Sequence, residues 1–172
     1  MIEYTRFEFC PRCGLAELKE FSNKAMRCTE CGYVYFHNTA AAAGAIIETG
    51  EGVLVTIRGE EPMAGMYDLP GGFVDYDESL EDAVIREVRE ELGISITIDR
   101  YIGSYSNSYT YRRVTYFTCD TFFVCRPQQD DVKVVLSREI KDWRIIPSDR
   151  LLTVEYAFKS HLQALTRYVT ER

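Results

Sequence analysis

Two groups of side chains in this sequence have the types and spacing that metal chemistry requires. The first is an acidic segment, residues 72–94, which holds eight acids against two arginines, a net charge of −6. The second is a set of four cysteines near the N-terminus, spaced as C-x2-C, fourteen residues, C-x2-C. Carboxylates favour hard cations such as Mg²⁺ and Mn²⁺, whereas thiolates favour zinc. The sequence therefore offers two candidate metal sites of different chemistry.

The acidic segment contains a predicted helix. Apolar spacing predicts it over 79–92, ended by the glycine at position 93. At about 100° per residue, its apolar stripe consists of Leu80, Val84, Val88 and Leu92. Glu91 falls inside this stripe and Glu87 lies beside it. With Glu90 they form a group of three carboxylates within about 100° of arc.

These three glutamates need a positive partner, because burying an ionised carboxylate is unfavourable otherwise. Arg86 and Arg89 lie off the stripe, so a divalent cation, Mg²⁺ or Mn²⁺, fits better. The alternative is a solvated acidic helix face. The preceding turn, LPGG at 69–72, can aim a backbone carbonyl or amide at a ligand, and the start of a helix binds anions. Together these features suggest a phosphorylated substrate that metal ions bridge.

The four N-terminal cysteines lie in two tight turns, CPRCG and CTECG, and are Cys10, Cys13, Cys28 and Cys31. Two such turns can bring four thiolates around one zinc ion in a closed, structural site. The alternatives are reduced thiols, two disulfides or a redox pair. His37 is a weaker candidate ligand because four thiolates already complete the site. Cys119 and Cys125 lie in a strand-like run and are interpreted as core residues.

The composition changes near residue 38, which predicts a small metal-stabilised domain over 1–38 and a larger domain over 39–172. Apolar runs predict six strands in the larger domain, at 40–47, 52–57, 94–98, 111–125, 132–136 and 143–146. A last helix is predicted over 154–169, with His161 as a partly buried structural residue. Strands interspersed with two helices predict an α/β domain with a mixed sheet and helices on its faces.

Composition and charge exclude several classes of protein. The chain has 172 residues, 46% of them hydrophobic, and a net charge of −7. That composition is globular, and the longest apolar run is less than half of the ~20 residues that a membrane span needs. The N-terminus lacks the pattern of a secretory signal, and retained thiols predict a reducing cytoplasm. An acidic chain is a poor general binder of nucleic-acid backbone. No G-x-S-x-G or G-x4-G-K-[ST] motif occurs, which argues against serine hydrolases and P-loop ATPases.

The acidic segment resembles the signature of the Nudix hydrolases, G-x5-E-x7-R-E-U-x-E-E-x-G-U, where U is a bulky aliphatic residue. Nine residues fill its specified places: Gly72, Glu78, Arg86, Glu87, Val88, Glu90, Glu91, Gly93 and Ile94. The resemblance covers roughly residues 40–168. It implies an α/β/α sandwich that binds Mg²⁺ or Mn²⁺ and hydrolyses a nucleoside diphosphate linked to another group.

The resemblance also implies roles for particular residues. Glu87, Glu90 and Glu91 would hold the metal ions with the carbonyl of Gly71. Arg86 would orient a glutamate, Glu78 would brace the loop or reach metal through water, and Arg58 could contact phosphate. The general base varies in the family, and Glu139 and Asp142 are the candidates here, with Glu87 as the fallback. For Glu139 an exposed loop acid is an equally good interpretation.

A four-cysteine zinc ribbon ahead of such a domain resembles the NADH pyrophosphatase branch. That branch carries S-Q-P-W-P-F-P-x-S after the signature, whereas this chain has SYSNSY at 104–109, with only the leading serine in common. Specificity for NAD(H) is therefore in doubt. Tyr105, Tyr109 and Tyr111 could stack on a base, or they could be the surface of a β-hairpin.

The competing class is a non-catalytic regulator, a Nudix-like ligand sensor joined to a zinc ribbon that binds nucleic acid or protein. This chain keeps all the signature carboxylates, and its N-terminal segment has no net charge, so catalysis is favoured. The expected partner is a small nucleoside diphosphate derivative, which the sequence does not identify further. A homodimer is possible, since dimers are common in the family.

Overall fold

The computed structural model describes residues 8–111, 114–129 and 133–172, with the side chains of Tyr109, Tyr111 and Val114 outside the description. A three-stranded antiparallel sheet comes first, with strands β1 (Leu18–Ser22), β2 (Ala25–Cys28) and β3 (Val34–Phe36) in that order. Its core is small: the buried hydrophobic cluster consists of Cys10, Leu18 and Cys28. This part, residues 10–36, is called the cysteine ribbon below.

A seven-stranded mixed sheet forms the larger part of the chain. Its strands are β4 (Ala40–Thr49), β5 (Gly52–Arg58), β6 (Tyr67–Asp68), β7 (Gly71–Phe73), β8 (Ile96–Tyr111), β9 (Val114–Pro127) and β10 (Ile140–Ile146). The order is β10-β5-β4-β9-β8, with β6 beside β5 and β7 beside β4. Only the β4–β9 pair among these is parallel.

Two helices cover the two faces of this sheet. Helix α1 (Leu80–Leu92) packs on the face that carries Ile47 and Phe123. Helix α2 (Lys159–Thr170) packs on the face that carries Ile46 and Phe122. Neighbouring strand residues point to opposite faces, so each central strand supplies apolar side chains to both cores. The α/β/α sandwich with a mixed sheet is confirmed.

The last helix begins later than the sequence predicts. Residues 154–158 are not helical, because their backbone is tied to β6: Tyr156 forms a bridge with Tyr67, and the Ala157 N–H donates to the Tyr67 carbonyl (2.8 Å). A short 3₁₀ turn, Leu151–Thr153, precedes this stretch. The local spacing of apolar residues favours a helix here, but pairing with the distant strand β6 holds the backbone in an extended form instead.

The strand predicted at 132–136 is wrong over its described residues, 133–136, which form no strand. Position 132 lies outside the described residues. The segment caps α1 instead: the Val135 N–H donates to the Leu92 carbonyl (2.8 Å), and the Ser137 N–H to the Glu91 carbonyl (2.9 Å). The carbonyls at the end of a helix need such partners. The N–H groups of Val135 and Ser137 therefore bond to the helix and are not available to pair with a strand.

The strands β8 and β9 form one long antiparallel hairpin. The sequence predicts separate strands at 94–98 and 111–125, so it misses most of β8. Cys125 is buried as predicted, but Cys119 is exposed. No helix in the described part of the chain is both long and apolar enough to cross a membrane.

Candidate metal and substrate site

Helix α1 is bounded by local sequence signals and carries the predicted glutamates. The Ser79 hydroxyl accepts from the Asp82 N–H (3.1 Å) at its start, and Gly93 ends it with a left-handed φ of 69°. The buried residues of the helix are Ala83, Val84, Val88 and Leu92. The apolar stripe thus faces the sheet, and Glu87 and Glu91 at its edge point toward the turn at 69–72.

Arg86 joins the helix to the loop before it. Its guanidinium makes two hydrogen bonds to the Glu78 carboxylate (2.8 and 2.9 Å) and one to the Phe73 carbonyl (3.0 Å). It also donates to Glu87 (2.9 Å) and Glu90 (3.1 Å). The hydrogen bonds from Arg86 hold the pKa of Glu78 below its usual value. Arg86 therefore fixes where both helix glutamates lie.

Glu91 lies at the point where helix and sheet meet. Its Oε2 accepts a hydrogen bond from the Gly71 N–H (3.1 Å). Burial raises the pKa of Glu91 well above its usual value, and the charges of Asp68, Glu87 and Glu139 add to this, while the Gly71 N–H opposes it. A cation at this point would favour the ionised form of Glu91 by offsetting the burial and the repulsion.

Burial likewise raises the pKa of Glu87, opposed by Arg86 and aided by the charges of Glu90 and Glu139. The glycine turn leaves room for this carboxylate, since a Cβ on Gly72 would lie 2.5 Å from Glu87 Oε1. A Cβ on Gly71 would meet the Ala43 carbonyl at 2.2 Å. Both glycines are needed because the turn runs against the helix on one side and the sheet on the other.

The donor set fits a hard divalent cation. Its oxygens are carboxylates, they are partly buried, and they repel one another. The three carboxylates do not converge on a single position. Glu91 is hydrogen-bonded to Gly71, whereas Glu87 and Glu90 are hydrogen-bonded to Arg86. Mg²⁺ usually keeps several waters and takes only a few carboxylates, so separated ligands suit it. Glu90 is the most exposed of the three, with 60% of its side chain accessible.

A cavity of about 340 Å³ opens beside Glu91, whereas Glu87 and Glu90 are not among its lining residues. Its walls include Arg58, Asp68, Gly71, Gly72, Glu91, Asn107, Thr118, Asp120, Phe122, Glu139, Phe158 and His161. Glu139 thus reaches the site from the loop before β10, as a general base would need to. Asp142 does not line the cavity, and its side chain pairs with Arg144 (2.7 Å). Both general-base assignments stay predictions.

Sequence reasoning missed a charged cluster in the cavity wall. Asp68 is buried and lies 2.5 Å from the Arg58 guanidinium and 2.7 Å from His161 Nδ1. Burial favours neutral Asp68, but the charges and hydrogen bonds of His161 and Arg58 outweigh it and lower the pKa of Asp68. Arg58 also lies over the Phe158 ring at 5.1 Å. The leucine and proline that follow Asp68 gave no local signal of this pairing.

Of the two tyrosines predicted to bind substrate, Tyr105 stands apart from this cavity. Tyr105 is not among the cavity-lining residues: its ring packs against Phe122 at 6.2 Å, and its hydroxyl lies beside Arg167 and Gly103. The backbone of Tyr109 belongs to β8, but its side chain lies outside the described part of the chain, as does that of Tyr111. The stacking roles of these residues stay predictions.

The four ribbon cysteines converge. Their sulfurs all lie within 4.8 Å of one another, the only group of three or more potential metal ligands this close among the described residues. Each turn is closed by a glycine of positive φ whose N–H donates to a cysteine carbonyl: Gly14 to Cys10 (2.8 Å) and Gly32 to Cys28 (3.1 Å). The cluster is consistent with a zinc ribbon.

Two ribbon thiols have pKa values shifted in opposite directions. The Leu15 N–H lowers the pKa of Cys13, but burial and side-chain hydrogen bonds with the other three ribbon cysteines outweigh it and raise this pKa to about 12. Burial raises the pKa of Cys10, but N–H groups of Cys13 and Arg12 outweigh it and lower the pKa to about 7. A thiolate available near neutral pH is what a zinc ion binds. His37 lies outside this group, with its ring edge-on to that of Phe117 at 6.5 Å.

Solved structures and curated proteins were compared with this fold and site. A NUDIX hydrolase from Nitrosomonas europaea has a TM-score of 0.76 at 22% identity, over 96% of this chain and 92% of that chain. At that identity the likeness is one of fold alone. It nevertheless extends over nearly the whole chain.

Two curated relatives share sequence with the chain. An NAD-capped RNA hydrolase NudC from Pseudomonas aeruginosa is 33% identical over 96 residues, which are 56% of this chain and 34% of that protein. An ADP-ribose pyrophosphatase from Methanocaldococcus jannaschii is 39% identical over 74 residues, 43% of each. The chain thus matches only about a third to two fifths of the length of these relatives.

The family itself is shown by a broader match. The profile of the NUDIX domain matches residues 38–168, which is most of the chain. That range runs from just before β4 into α2 and includes the whole acidic segment. Since the sandwich, the glutamate-bearing helix and the cavity all lie within it, this chain belongs to the NUDIX family.

Proposed function

We propose that this protein hydrolyses a pyrophosphate linkage in a nucleoside diphosphate derivative and that it depends on Mg²⁺ or Mn²⁺. The observation that carries the proposal is Glu91, a partly buried carboxylate with a raised pKa that lines a cavity together with Glu139. Perturbed carboxylates in a cleft are typical of functional sites. NUDIX membership and the pyrophosphatase named among the relatives support the reaction class.

In this proposal the chain's own residues divide the work. Glu87, Glu90, Glu91 and the Gly71 carbonyl hold the cations. Bound Mg²⁺ or Mn²⁺ would lower the pKa of a water and offset negative charge on the phosphate. Arg86 acts as a positioning residue, because it holds Glu87 and Glu90. Glu139, on the cavity wall, removes the proton from the attacking water.

Arg58 would contact a substrate phosphate from the opposite wall. Its guanidinium faces the cavity but is shared with Asp68 and the Pro62 carbonyl (2.8 Å). The substrate would therefore meet a guanidinium held in place and partly neutralised. The substrates in the relatives' names, NAD-capped RNA and ADP-ribose, both contain a nucleoside diphosphate, and this supports the proposed substrate class.

The test is a panel of nucleoside diphosphate derivatives incubated with purified protein and Mg²⁺, with products identified by mass spectrometry. Release of a nucleoside monophosphate and a second phosphorylated product supports the proposal. The Glu91→Gln variant, purified in parallel, excludes a contaminating hydrolase. Tight binding of one compound with no product from any would favour the alternative, a non-catalytic ligand sensor.

The ribbon is proposed to hold one structural zinc ion, which requires reduced thiols and therefore a reducing compartment such as the cytoplasm. All six cysteines of the described chain are free. A homodimer also stays a prediction, and light scattering of the purified protein tests it directly.

A further inference from the structure

One end of the cavity is buried and polar and belongs to strands β8 and β9 rather than to helix α1. It is formed by Asn107, Thr118 and Asp120, which are 8%, 3% and 6% exposed. Asn107 and Thr118 are directly paired across β8 and β9, and Asp120 is two residues further along β9, so all three lie on one face of the sheet. None of them belongs to the acidic segment.

The Thr118 hydroxyl identifies this end as a place for a ligand. Its Oγ1 is fully buried and has no hydrogen-bond partner in the described part of the chain. Asp120 already accepts one hydrogen bond, from the Ser160 hydroxyl (2.6 Å). A carboxylate has about four acceptor positions, so Asp120 has capacity for further donors. Buried polar groups normally have partners, and the cavity is where these would find them.

The position of this end relative to the glycine turn matches the shape of a nucleotide. Phe73 of β7 is paired with Ala42 of β4, and Ala42 with Asp120 of β9. Strands lie about 4.8 Å apart, so β9 is roughly 10 Å and β8 roughly 14 Å from β7. The small side chain of Ala42 on β4 lines the cavity between β7 and β9, whereas the Phe122 ring fills the space over Gly44, where a Cβ would lie 2.7 Å from the ring. A nucleoside can thus span the interval between the glutamates and the polar end.

The charges fix the direction in which a substrate lies. Asp120 repels phosphate, and Arg58, the one arginine among the described cavity-lining residues, is bound to Asp68 rather than to the polar end. The phosphates therefore belong beside the glutamates. A carboxylate can only accept hydrogen bonds, so the group beside Asp120 must be neutral and must offer N–H or O–H donors. At a nucleoside's length from the phosphates this group is the base, whose donors are N–H groups.

On these grounds we propose that Asn107, Thr118 and Asp120 recognise the nucleobase and select bases that carry an amino group: adenine, cytosine or guanine. This rests on the proposed function and adds the part of the substrate that the glutamates do not contact. Uracil fits poorly, because its N–H lies between two carbonyl oxygens that repel a carboxylate. Asn107 and Thr118 each supply both a donor and an acceptor for the remaining base edge.

The test compares ADP-glucose, GDP-glucose, CDP-glucose and UDP-glucose, which differ only in the base. We expect at least one amino-bearing substrate to exceed UDP-glucose by about tenfold or more in kcat/KM, as a charge-assisted hydrogen bond allows. Asp120→Asn, which can still accept from Ser160, should remove most of that preference through KM. Equal kcat/KM for all four substrates in the native protein, or a preference untouched by Asp120→Asn, overturns the inference.

A matched pair of variants separates recognition from stability. Thr118→Val and Thr56→Val each remove a buried, unpartnered hydroxyl, but Thr56 does not line the cavity. Only Thr118→Val should raise KM for the preferred substrate, by about three- to tenfold. Equal KM values for the two variants contradict the assignment of Thr118.

Binding without turnover distinguishes this inference from the proposed function. AMP, GMP, CMP and UMP are titrated into metal-free protein by calorimetry. Tighter binding of an amino-bearing nucleotide, lost in Asp120→Asn, supports base recognition even if no substrate is hydrolysed, in which case the proposed reaction alone fails. Hydrolysis with no base preference and indiscriminate binding leaves the reaction standing and removes the inference.

Discussion

The cysteine ribbon and the acidic segment are both candidate metal sites, but they are organised in opposite ways. The ribbon sulfurs lie within 4.8 Å of one another, and the ribbon's buried hydrophobic cluster has only three members among the described residues. The glutamates are held apart, by Arg86 on one side and Gly71 on the other, on a helix that a large core already supports. On the proposed function, the first site would need its metal to fold, whereas the second already has its fold and would need metal to react.

Glu91→Gln tests whether the acidic segment needs metal to react, and it should give the largest change in turnover. It keeps the shape of the side chain and removes the charge, so turnover should fall by about a thousandfold. Circular dichroism should be unchanged, since α1 is supported by its apolar stripe. Glu81→Gln, on the exposed side of the same helix, should stay within about twofold of the native rate. Native turnover in Glu91→Gln would contradict the metal assignment.

Cys28→Ser tests the folding half. Structural zinc contributes about 10–16 kcal/mol of apparent binding energy that is also folding energy, so the variant should lose zinc and its amide protection in β1–β3. Protection in β4 and β9 should be retained. The exposed Cys119 provides the control: Cys119→Ser should keep one zinc per chain. A protected ribbon with well under one zinc per chain would break the comparison.

Arg86→Lys tests whether activity depends on the separation of the glutamates that Arg86 holds in place. Lysine keeps the charge but cannot make the two parallel bonds to Glu78 while also reaching Glu87 and Glu90. We expect kcat to fall by about tenfold and the Mg²⁺ concentration for half-maximal rate to rise, as for partners of metal ligands elsewhere. Arg89→Lys, on the exposed surface of α1, is the control and should change neither quantity.

The smallest expected effect is a pH dependence of stability. The pKa of Glu91 is raised above its usual value near 4.5, so the folded chain holds a proton that the unfolded chain has lost. The free energy of unfolding of metal-free protein should therefore fall as pH rises from about 4.5 to the raised pKa, by at most about 1.4 kcal/mol per unit for this group. Denaturant melts at several pH values measure this. The Glu91→Gln variant should lack this contribution to the pH dependence, and Mg²⁺ should reduce the contribution in the native protein. If the unfolding free energies of the native protein and the variant changed in parallel with pH, the raised pKa of Glu91 would be contradicted.

Local features of the sequence were enough to predict α1 and the two cysteine turns. A helix face repeats every 3.6 residues, so the inward placement of Glu91 follows from positions within one helix. The C-x2-C-G turns are equally local, because each closes through a hydrogen bond between near neighbours. Predictions from local spacing failed where the backbone bonds to a distant segment instead. Residues 154–158 lie against β6 rather than forming a helix, and residues 133–136 cap α1 rather than forming a strand.

The sequence by itself determined the family resemblance, the thiolate cluster and the helix that carries the glutamates, because each depends on residues close together in the chain. The tertiary structure alone decided the cavity. Asp68 meets His161, and Asn107 lies beside Thr118, only after the sheet has paired and α2 has docked on it. Such contacts join residues separated by up to 93 positions, so no local repeat in the sequence predicts them. Their free energy comes from burial in a core that exists only when the whole domain has folded.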